Sequence, residues 1–286
     1  MVSPSQKRRA IRHVVGRKLC SIVLGCSAVR LARSSYYRRP ELGAYNRRLL
    51  KAIERWSRRK PRWGYAKITT LLRAGGWKVN KKRVARLRRL AGLQVMGKSR
   101  KRRRLGQSSS ERRNAEYPNQ VWSWDFIEDR TETGRKIKVL TVVDEKSRLC
   151  VAHRVEHGMG AAEVIEEIGR AMARQGIPEH IRSDNGPEFI AQAIQNWLAE
   201  RKVKTLYIDP GSPWQNPFVE SFNAQLRRDC LDAEVFGNLT EAKVLIGEWI
   251  RSYNQERPHG SLDQLTPVEF LGRWNNNQIN QSKLTS

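Results

Sequence analysis

Three acidic residues lie in sequence surroundings that differ from those of an ordinary surface carboxylate. Asp125 lies inside the apolar run 122–126, Asp184 directly follows the short run 180–183, and 35 residues separate Asp184 from Glu220. Oxygen ligands suit Mg²⁺, and two divalent ions about 3.5–4 Å apart can stabilise both the attacking and the leaving oxygen of a phosphodiester. The three acids therefore predict a site for two Mg²⁺ or Mn²⁺ ions and a phosphoryl-transfer reaction.

The sequence around Asp184 predicts the end of a strand. A short strand-like run stops at Ser183, and the turn-forming residues 185–187 (Asn-Gly-Pro) follow Asp184. An Asp before Asn-Gly often closes an Asx-turn, which is the structural alternative for this residue. Asp144 also follows a predicted strand, and we expect it to form a turn rather than bind a metal.

The residues around Glu220 predict a helix that begins near Asn216, a common N-cap residue, with proline at the first helical position. Glu220, Asn223 and Arg227 then share one face of this helix. We expect Asn223 and Arg227 to contact DNA, with the guanidinium of Arg227 beside a phosphate. The neighbouring face is apolar and is expected to be buried; it comprises Val219, Phe222, Leu226 and Cys230.

The residues that flank the three acids resemble the motifs of one known family. They are Trp-Ser-Trp-Asp-Phe at 122–126, Ser-Asp-Asn-Gly-Pro-Glu-Phe at 183–189 and Asn-Pro-Phe-Val-Glu-Ser-Phe-Asn at 216–223. With Arg227 behind Glu220, these motifs resemble the DDE catalytic core of insertion-sequence transposases and retroviral integrases. Within that group they are most similar to the second-frame (OrfB) product of the IS-three type.

The resemblance implies that Asp125, Asp184 and Glu220 are the catalytic metal ligands of a transposase. Such an enzyme cuts DNA strands at the ends of its insertion sequence and joins them to target DNA. Two alternatives are open at this point: a nuclease of the same fold that only cuts, and a DNA-binding regulator derived from such an element. The products formed on DNA distinguish the three functions.

Positive charge is concentrated in the first part of the chain. Of the 55 Lys and Arg residues, 35 lie in residues 1–113, together with only 3 of the 28 Asp and Glu residues. The whole chain has a formal net charge of +27 at pH 7. Nucleic acid is the polyanion that such a segment is expected to bind. A basic surface that serves only solubility is the alternative.

Residues 44–93 predict three helices. The first spans Tyr45–Trp56, the second follows Trp63 and breaks at Gly75–Gly76, and the third begins after Asn80. This order fits a helix-turn-helix, whose second helix enters the major groove, and it resembles the one found ahead of the integrase core in this family. A helix that contacts only phosphates is the alternative. The expected DNA contacts are Lys81, Lys82, Arg83, Arg86 and Arg89.

From residue 121 onward the predicted order is three strands, helix, strand, helix, strand, helix. This order matches the ribonuclease-H-like α/β fold of DDE enzymes, a mixed five-stranded sheet with flanking helices, here preceded by an all-α helix-turn-helix region. The fold would bring Asp125 and Asp184 together at the ends of the first and fourth strands. We divide the chain into a basic helical region (1–43), a helix-turn-helix domain (44–96), a basic and Ser-rich linker (97–116), a catalytic core (117–235) and a C-terminal helix and tail packed on the core (236–286).

The remaining expectations concern partners and location. No apolar stretch reaches the roughly 20 residues of a membrane-spanning helix, so we expect a cytoplasmic, nucleoid-associated bacterial protein with no membrane partner. The four cysteines lack CxxC spacing, so reduced thiols and no zinc are expected. The resemblance implies element ends and target DNA as partners, a homo-oligomer on that DNA, and the OrfA product of the same element. His259 is expected to brace the core rather than to contact DNA.

Overall fold

The computed structural model describes residues 4–37, 42–95, 115–183, 192–207 and 216–284. Three predicted features lie outside these residues: Asp184 with the turn that follows it, most of the basic linker, and the loop before Asn216. Within the described ranges, no helix is long and apolar enough to cross a membrane.

Three helices form a small N-terminal unit: α1 (Pro4–Gly16), α2 (Ile22–Ala28) and α3 (Arg33–Tyr37). Ser21 caps α2, because its hydroxyl accepts the N–H of Leu24 at 3.3 Å. Ile11 of α1 and Cys26 of α2 are buried. Gly25 allows the two helices to approach closely, since a Cβ at this position would lie 3.1 Å from the Ile11 side chain.

The next three helices form the helix-turn-helix region: α4 (Ala44–Arg59), α5 (Tyr65–Ala74) and α6 (Lys81–Leu90). Gly76 has a φ of +84°, which glycine adopts without strain, and the chain turns out of α5 there. Asn80 caps α6, because its side-chain oxygen accepts the N–H of Lys82 at 2.8 Å. Val84 and Leu87 form the buried face of α6. The structure thus contains the three helices that the sequence predicts.

Five strands form one mixed sheet: β1 (Val121–Arg130), β2 (Lys136–Asp144), β3 (Cys150–Glu156), β4 (His180–Ser183) and β5 (Lys204–Tyr207). Their order in the sheet is β3-β2-β1-β4-β5. The first three strands are antiparallel neighbours, whereas β4 runs parallel to both β1 and β5. The predicted five-stranded sheet is confirmed, and β1 lies at its centre beside β4.

Helices cover both faces of the sheet: α7 (Ala161–Gln175), α8 (Gln192–Glu200), α9 (Pro217–Leu226), α10 (Leu239–Glu256) and α11 (Pro267–Leu284). On one face, α7 and α8 pack around Trp122 and Trp124 of β1. On the other face, α9 and α10 pack around Val139 and Phe222. Because side chains alternate along a strand, Asp125 points away from the two tryptophans and toward α9.

The helix that carries Glu220 differs from its prediction after Leu226. The sequence pattern predicts one continuous helical face as far as Cys230, but α9 ends at Leu226 and a π-helical turn spans Arg227–Leu231. The N–H of Asp232 bonds to the carbonyl of Arg227, five residues earlier, at 2.7 Å. This wider turn still buries Cys230 in the core.

The helix-turn-helix region contacts the core through the loop between α4 and α5. Lys60 Nζ lies 2.6 Å from the carboxylate of Glu256 and donates to the hydroxyl of Ser252 at 2.6 Å. Arg62 donates to the carbonyl oxygen of Arg228. Since Arg228 lies in the π-helical turn, the helix-turn-helix region contacts the segment that directly follows the helix of Glu220.

Candidate active site

Asp125 lies in β1, the central strand of the sheet. It pairs with Thr141 of β2, whose hydroxyl donates to the main-chain carbonyl oxygen of Asp125 at 3.2 Å. One carboxylate oxygen of Asp125 accepts the N–H of Phe126 at 2.7 Å. Pairing between the strands fixes the backbone of Asp125 in the sheet. The residue is half-buried and therefore keeps access to solvent.

Asn223 connects the helix α9 to Asp125. Its amide nitrogen donates to the Asp125 carboxylate at 2.9 Å, and its amide oxygen accepts the Thr141 hydroxyl at 2.8 Å. Asn223 is only 7% exposed. Its side chain therefore orients the carboxylate of Asp125, and the predicted contact of Asn223 with DNA stays a prediction.

Glu220 lies one turn before Asn223 on the same helix and is half-buried. Burial raises the pKa of the Glu220 carboxyl, and the negative charge of Asp125 raises it further. Two carboxylates that disfavour each other's ionised state form a site that a cation would stabilise. The donor set also fits a hard divalent ion, because it consists of oxygen atoms.

The third predicted acid, Asp184, lies outside the described residues. The structure describes β4 as far as Ser183, and the last aligned pair of β1 and β4 joins Ser123 to Arg182. Among the residues that the structure describes, no group of three His, Cys, Asp or Glu side chains could hold a metal ion. The structure thus brings together two of the three acids, Asp125 and Glu220.

Two further residues of this region were predicted from the sequence. Asn216 occupies the N-cap position of α9 but makes no capping hydrogen bond there, and its amide instead donates to the carbonyl of Trp124 at 3.4 Å. Arg227 donates to the carbonyl of Glu128 at 2.5 Å. Arg227 therefore lies against the strand that carries Asp125, and its contact with a phosphate stays a prediction.

The basic face of α6 is open to solvent. One arginine of this helix differs from the rest: Arg88 is 3% exposed and donates to the carbonyl of Trp63 at 2.8 Å. Arg83 is exposed and lies over the ring of Tyr45, 5.5 Å from its centre. The exposed basic side chains of α6 are the five that the sequence predicts as DNA contacts: Lys81, Lys82, Arg83, Arg86 and Arg89.

Family models match the helix-turn-helix region and the core. Residues 44–103 match an HTH-like domain, and residues 115–213 and 201–267 match two models of an integrase core domain. The chain is 34% identical to the insertion element IS476 uncharacterized 39.2 kDa protein of Xanthomonas euvesicatoria, over 98% of this chain and 81% of that protein. It is also 27% identical to the transposase InsF for insertion sequence IS3A of Escherichia coli (strain K12), over 87% and 93% of the two chains.

The chain belongs to the family of insertion-sequence transposases with an integrase core. The resemblance recognised in its motifs is thereby confirmed. Among solved structures, the transposase is similar to the HTLV-2 integrase catalytic core domain in complex with magnesium. That match has a TM-score of 0.43 and 22% identity, and it covers 54% of this chain and 96% of the integrase domain.

Two other acids of the transposase are buried near β1. The carboxylate of Asp144 accepts the N–H and the hydroxyl of Ser147 at 2.6 and 2.7 Å, and burial raises its pKa. Asp144 therefore forms the turn after β2, as expected. Glu145, which the sequence analysis did not single out, accepts the guanidinium of Arg182 at 2.8 Å and the hydroxyl of Ser123.

Thr141 is a residue of the site that sequence analysis missed. A Thr in a strand is common, and its hydroxyl carries no signal of its own. Its role depends on the pairing of β1 with β2 and on the position of α9, which lies 82 residues further along the chain. Asp125 of β1 and Asn223 of α9 can be recognised as one site only once the register of the sheet is known.

The structure predicts a defined effect for Asn223→Ala. Without the amide, the Asp125 carboxylate loses a donor, and the Thr141 hydroxyl loses the nearer of its two acceptors and keeps the carbonyl oxygen of Asp125. If Asp125 is a metal ligand, as the sequence predicts, loss of the residue that orients it should reduce DNA strand cleavage by about 10–100-fold, the range common for such residues. If Asn223 acts only by orienting Asp125, affinity for DNA should not change, and its burial favours that role. Both quantities are measured with a labelled DNA substrate, by product analysis and by anisotropy.

Gln225→Ala is the matched control for this prediction. Gln225 lies on the same helix, and its amide nitrogen donates to the carbonyl of Ser221 at 2.9 Å, within α9 itself. Its loss should leave cleavage unchanged. If Asn223→Ala instead weakened DNA binding and left the cleavage rate of bound DNA intact, Asn223 would be a DNA contact and not an orienting residue.

Proposed function

We propose that this transposase cuts DNA strands at the ends of its insertion sequence and joins them to target DNA, with Asp125, Asp184 and Glu220 as the metal ligands. One observation carries the proposal: α9 brings Glu220 and Asn223 to Asp125 at the centre of the sheet. Rigid elements that hold carboxylates together are what a metal-dependent phosphoryl transferase requires.

The register of the sheet supports the inclusion of Asp184. The pairing of Ser123 with Arg182 is the last one described between β1 and β4. Asp125 is two residues beyond Ser123, and Asp184 is two residues beyond Arg182. If the parallel pairing continues for two residues, Asp184 lies beside Asp125. The three acids would then hold two Mg²⁺ or Mn²⁺ ions, which supply positive charge at the attacking and leaving oxygens.

The proposed reaction has two steps, and in each step one bond to phosphorus forms as another breaks. In strand cleavage, the oxygen of water forms a bond to phosphorus while the bond to the 3′ oxygen breaks, and the released oxygen takes up a proton. In strand transfer, the new 3′-hydroxyl attacks a phosphodiester of the target DNA, so that one such bond forms as another breaks. No external energy source is needed for that step. In this proposal Asn223 keeps the Asp125 carboxylate oriented, and Arg227 would bind a phosphate of the DNA.

The helix-turn-helix region supplies the DNA-binding surface in this proposal. Replacing Lys82 and Arg86 with Gln should weaken binding to a DNA duplex and lower the slope of log affinity against log salt by about 2, since each phosphate contact contributes about 1. Anisotropy titrations of the variant at several salt concentrations measure both. Arg170→Gln, on the surface of α7, is the control and should change neither.

The same titrations decide between the two possible roles of α6. A helix that contacts only phosphates loses affinity for all DNA sequences equally when Lys82 and Arg86 are replaced. A helix that also contacts base edges loses its preference for the ends of the element over unrelated DNA. An unchanged salt slope would show that Lys82 and Arg86 make no phosphate contacts.

The proposal includes partners and a location. Both ends of an element must be cut and joined, so we infer that the transposase acts as a homo-oligomer on DNA, at the nucleoid. The OrfA product of the same element is a further proposed partner. Co-purification of the two products on DNA that carries the element ends tests this association.

The direct test of the proposed function uses the full chain, labelled DNA from the ends of its element, unlabelled target DNA and Mg²⁺ or Mn²⁺. We expect both shortened and joined products on a denaturing gel. Shortened products alone, under conditions in which a target is bound, would identify a nuclease. DNA binding with neither product, with and without the OrfA product, would identify a regulator.

A further inference from the structure

The three N-terminal helices, α1–α3, lie outside the residues that the family models match, which begin at residue 44. Residues 4–37 contain eight Lys and Arg residues and no Asp or Glu. A folded unit of this composition has a high density of positive charge that no carboxylate of its own offsets. Nucleic acid is the polyanion that such a surface fits.

Two of the eight basic side chains help to hold the unit together. The ammonium of Lys7 donates to the carbonyl oxygen of Arg30 at 3.4 Å, which joins α1 to the turn between α2 and α3. The Nε of Arg8 donates to the carbonyl oxygen of Pro4 at 3.2 Å, within α1. Both side chains are half-buried. Together with the close approach of Ile11 and Gly25, these contacts fix the positions of the helices and of the charges on them.

The other six basic side chains are exposed to solvent. Because the unit contains no carboxylate, none of them has an acidic partner within it. The exposed arginines of the core differ in this respect, since Arg170 of α7 and Arg201 of α8 lie beside the carboxylates of Glu166 and Glu200. The six exposed side chains of the N-terminal unit are Arg9, Arg12, Arg17, Lys18, Arg30 and Arg33.

We propose that α1–α3 form a second DNA-binding unit, which contacts the phosphates of the duplex next to the site bound by α6. This inference rests on the proposed function, because it requires that α6 binds DNA. The unit need not contact base edges, since contacts to phosphates are sufficient to fix the register and orientation of a protein on a duplex. Arg9 and Arg12 are three residues apart on α1 and therefore lie on one face of the helix.

The length of the chain keeps the two units on one stretch of DNA. Tyr37 ends α3 and Ala44 begins α4, so the ends of the two units are joined by seven residue steps. A fully extended chain of that length spans about 25 Å, which is less than the roughly 34 Å of one turn of the double helix. Binding of one unit therefore raises the effective concentration of the other on the adjoining DNA. Two units bound in a fixed order also give the chain one direction along the duplex.

Three apolar side chains of the unit are exposed as well: Leu19, Val23 and Leu24, at 70, 56 and 61%. Such side chains would suit a contact between two copies of the chain. Exposed apolar residues are common on soluble proteins, whereas most folded surfaces mix both signs of charge. The absence of acids from residues 4–37 therefore favours DNA as the partner.

The test uses the full chain and fluorescein-labelled duplexes, without divalent ions, so that no strand is cut. Replacing Arg9 and Arg12 with Gln should lower the slope of log affinity against log salt by about 2, because each phosphate contact contributes about 1. The loss should be equal for the ends of the element and for unrelated DNA, since phosphates carry no sequence information. Anisotropy titrations at several salt concentrations measure both quantities.

Hydroxyl-radical footprinting supplies a readout that a general loss of positive charge would not change. We expect the wild-type chain to protect two adjoining stretches of the element end, separated by less than one turn of the duplex. The variant of Arg9 and Arg12 should lose protection of one stretch. The variant in which Gln replaces Lys82 and Arg86 should lose protection of the other.

Controls separate this inference from the proposed function. Replacing Arg170 and Arg201 with Gln removes the same number of positive charges from the core and should leave the slope and the footprint unchanged. Melting curves and sedimentation establish that each variant is folded and in the oligomeric state of the wild type. A wild-type slope and footprint for the variant of Arg9 and Arg12 would overturn the inference alone. A change in its oligomeric state would overturn the inference in favour of a contact between copies. Failure of the wild-type chain to bind any DNA would overturn the proposed function as well.

Discussion

Replacing Asp125 with Asn is expected to lower the rate of strand cleavage and strand transfer by about 10³-fold. The amide has the size of the carboxylate but lacks its negative charge, so it is a poor ligand for a divalent ion. Metal ions contribute several kcal/mol of transition-state stabilisation in such sites, and about 4 kcal/mol corresponds to about 10³-fold in rate. Glu220→Gln should have an effect of the same order. Product formation on a denaturing gel measures both, and anisotropy establishes that DNA binding is retained.

Asp129→Asn is the matched control for the loss of charge. Asp129 lies on β1, four residues from Asp125, and therefore on the same face of the strand. Its carboxylate accepts the N–H of Arg130 at 2.8 Å. We expect this variant to cleave and join DNA at the wild-type rate. If the Asp125→Asn variant bound DNA and joined strands as fast as the wild type, Asp125 would not be a catalytic residue.

The secondary structure of the core could be predicted because local signals mark its boundaries. Apolar residues at 164, 168 and 172 predict a helix over residues 161–175, and α7 spans those residues in the structure, between Gly160 and Gly176. Gly176 has a φ of +92°, a conformation that terminates a helix at little cost only for glycine. Asn80 similarly identifies the start of α6. Where such residues flank a periodic apolar pattern, the sequence alone is enough to locate the ends of the helix.

The contacts of the site could not be predicted, because they join residues far apart in the chain. Asn223 is 98 residues from Asp125 and 82 from Thr141, so its role depends on the sheet register and on the placement of α9. The sequence likewise does not predict the π-helical turn after Leu226, since apolar residues at 226 and 230 fit a regular α-helix. Arg88 belongs to a run of basic residues, and only the packing of α6 on Trp63 separates it from its exposed neighbours.

Replacing Arg257 with Met is expected to lower the free energy of unfolding by about 3–5 kcal/mol, which is typical when one partner of a buried ion pair is lost. The side chains of Arg257 and Asp229 are each 5% exposed and lie 2.8 Å apart. Burial alone would raise the pKa of Asp229, but hydrogen bonds from Arg228 and Arg257 hold it below its usual value. Without Arg257, the Asp229 carboxylate keeps one partner, the half-exposed Arg228. Chemical denaturation followed by circular dichroism measures the loss.

The Arg257–Asp229 pair lies where the helix-turn-helix region meets the core. Its loss should therefore also affect the connection between DNA binding and catalysis. Arg257 lies over the ring of Trp63 at 6.0 Å, and Asp229 belongs to the π-helical turn after the helix of Glu220.

Arg251→Met replaces an exposed arginine of α10 and is the control. It should change the free energy of unfolding by no more than about 0.5 kcal/mol. Adding Asp229→Asn to Arg257→Met should recover part of the loss, because the uncompensated charge is then gone. A double variant as unstable as the sum of the two single variants would show that the pair contributes through packing and not through its charges.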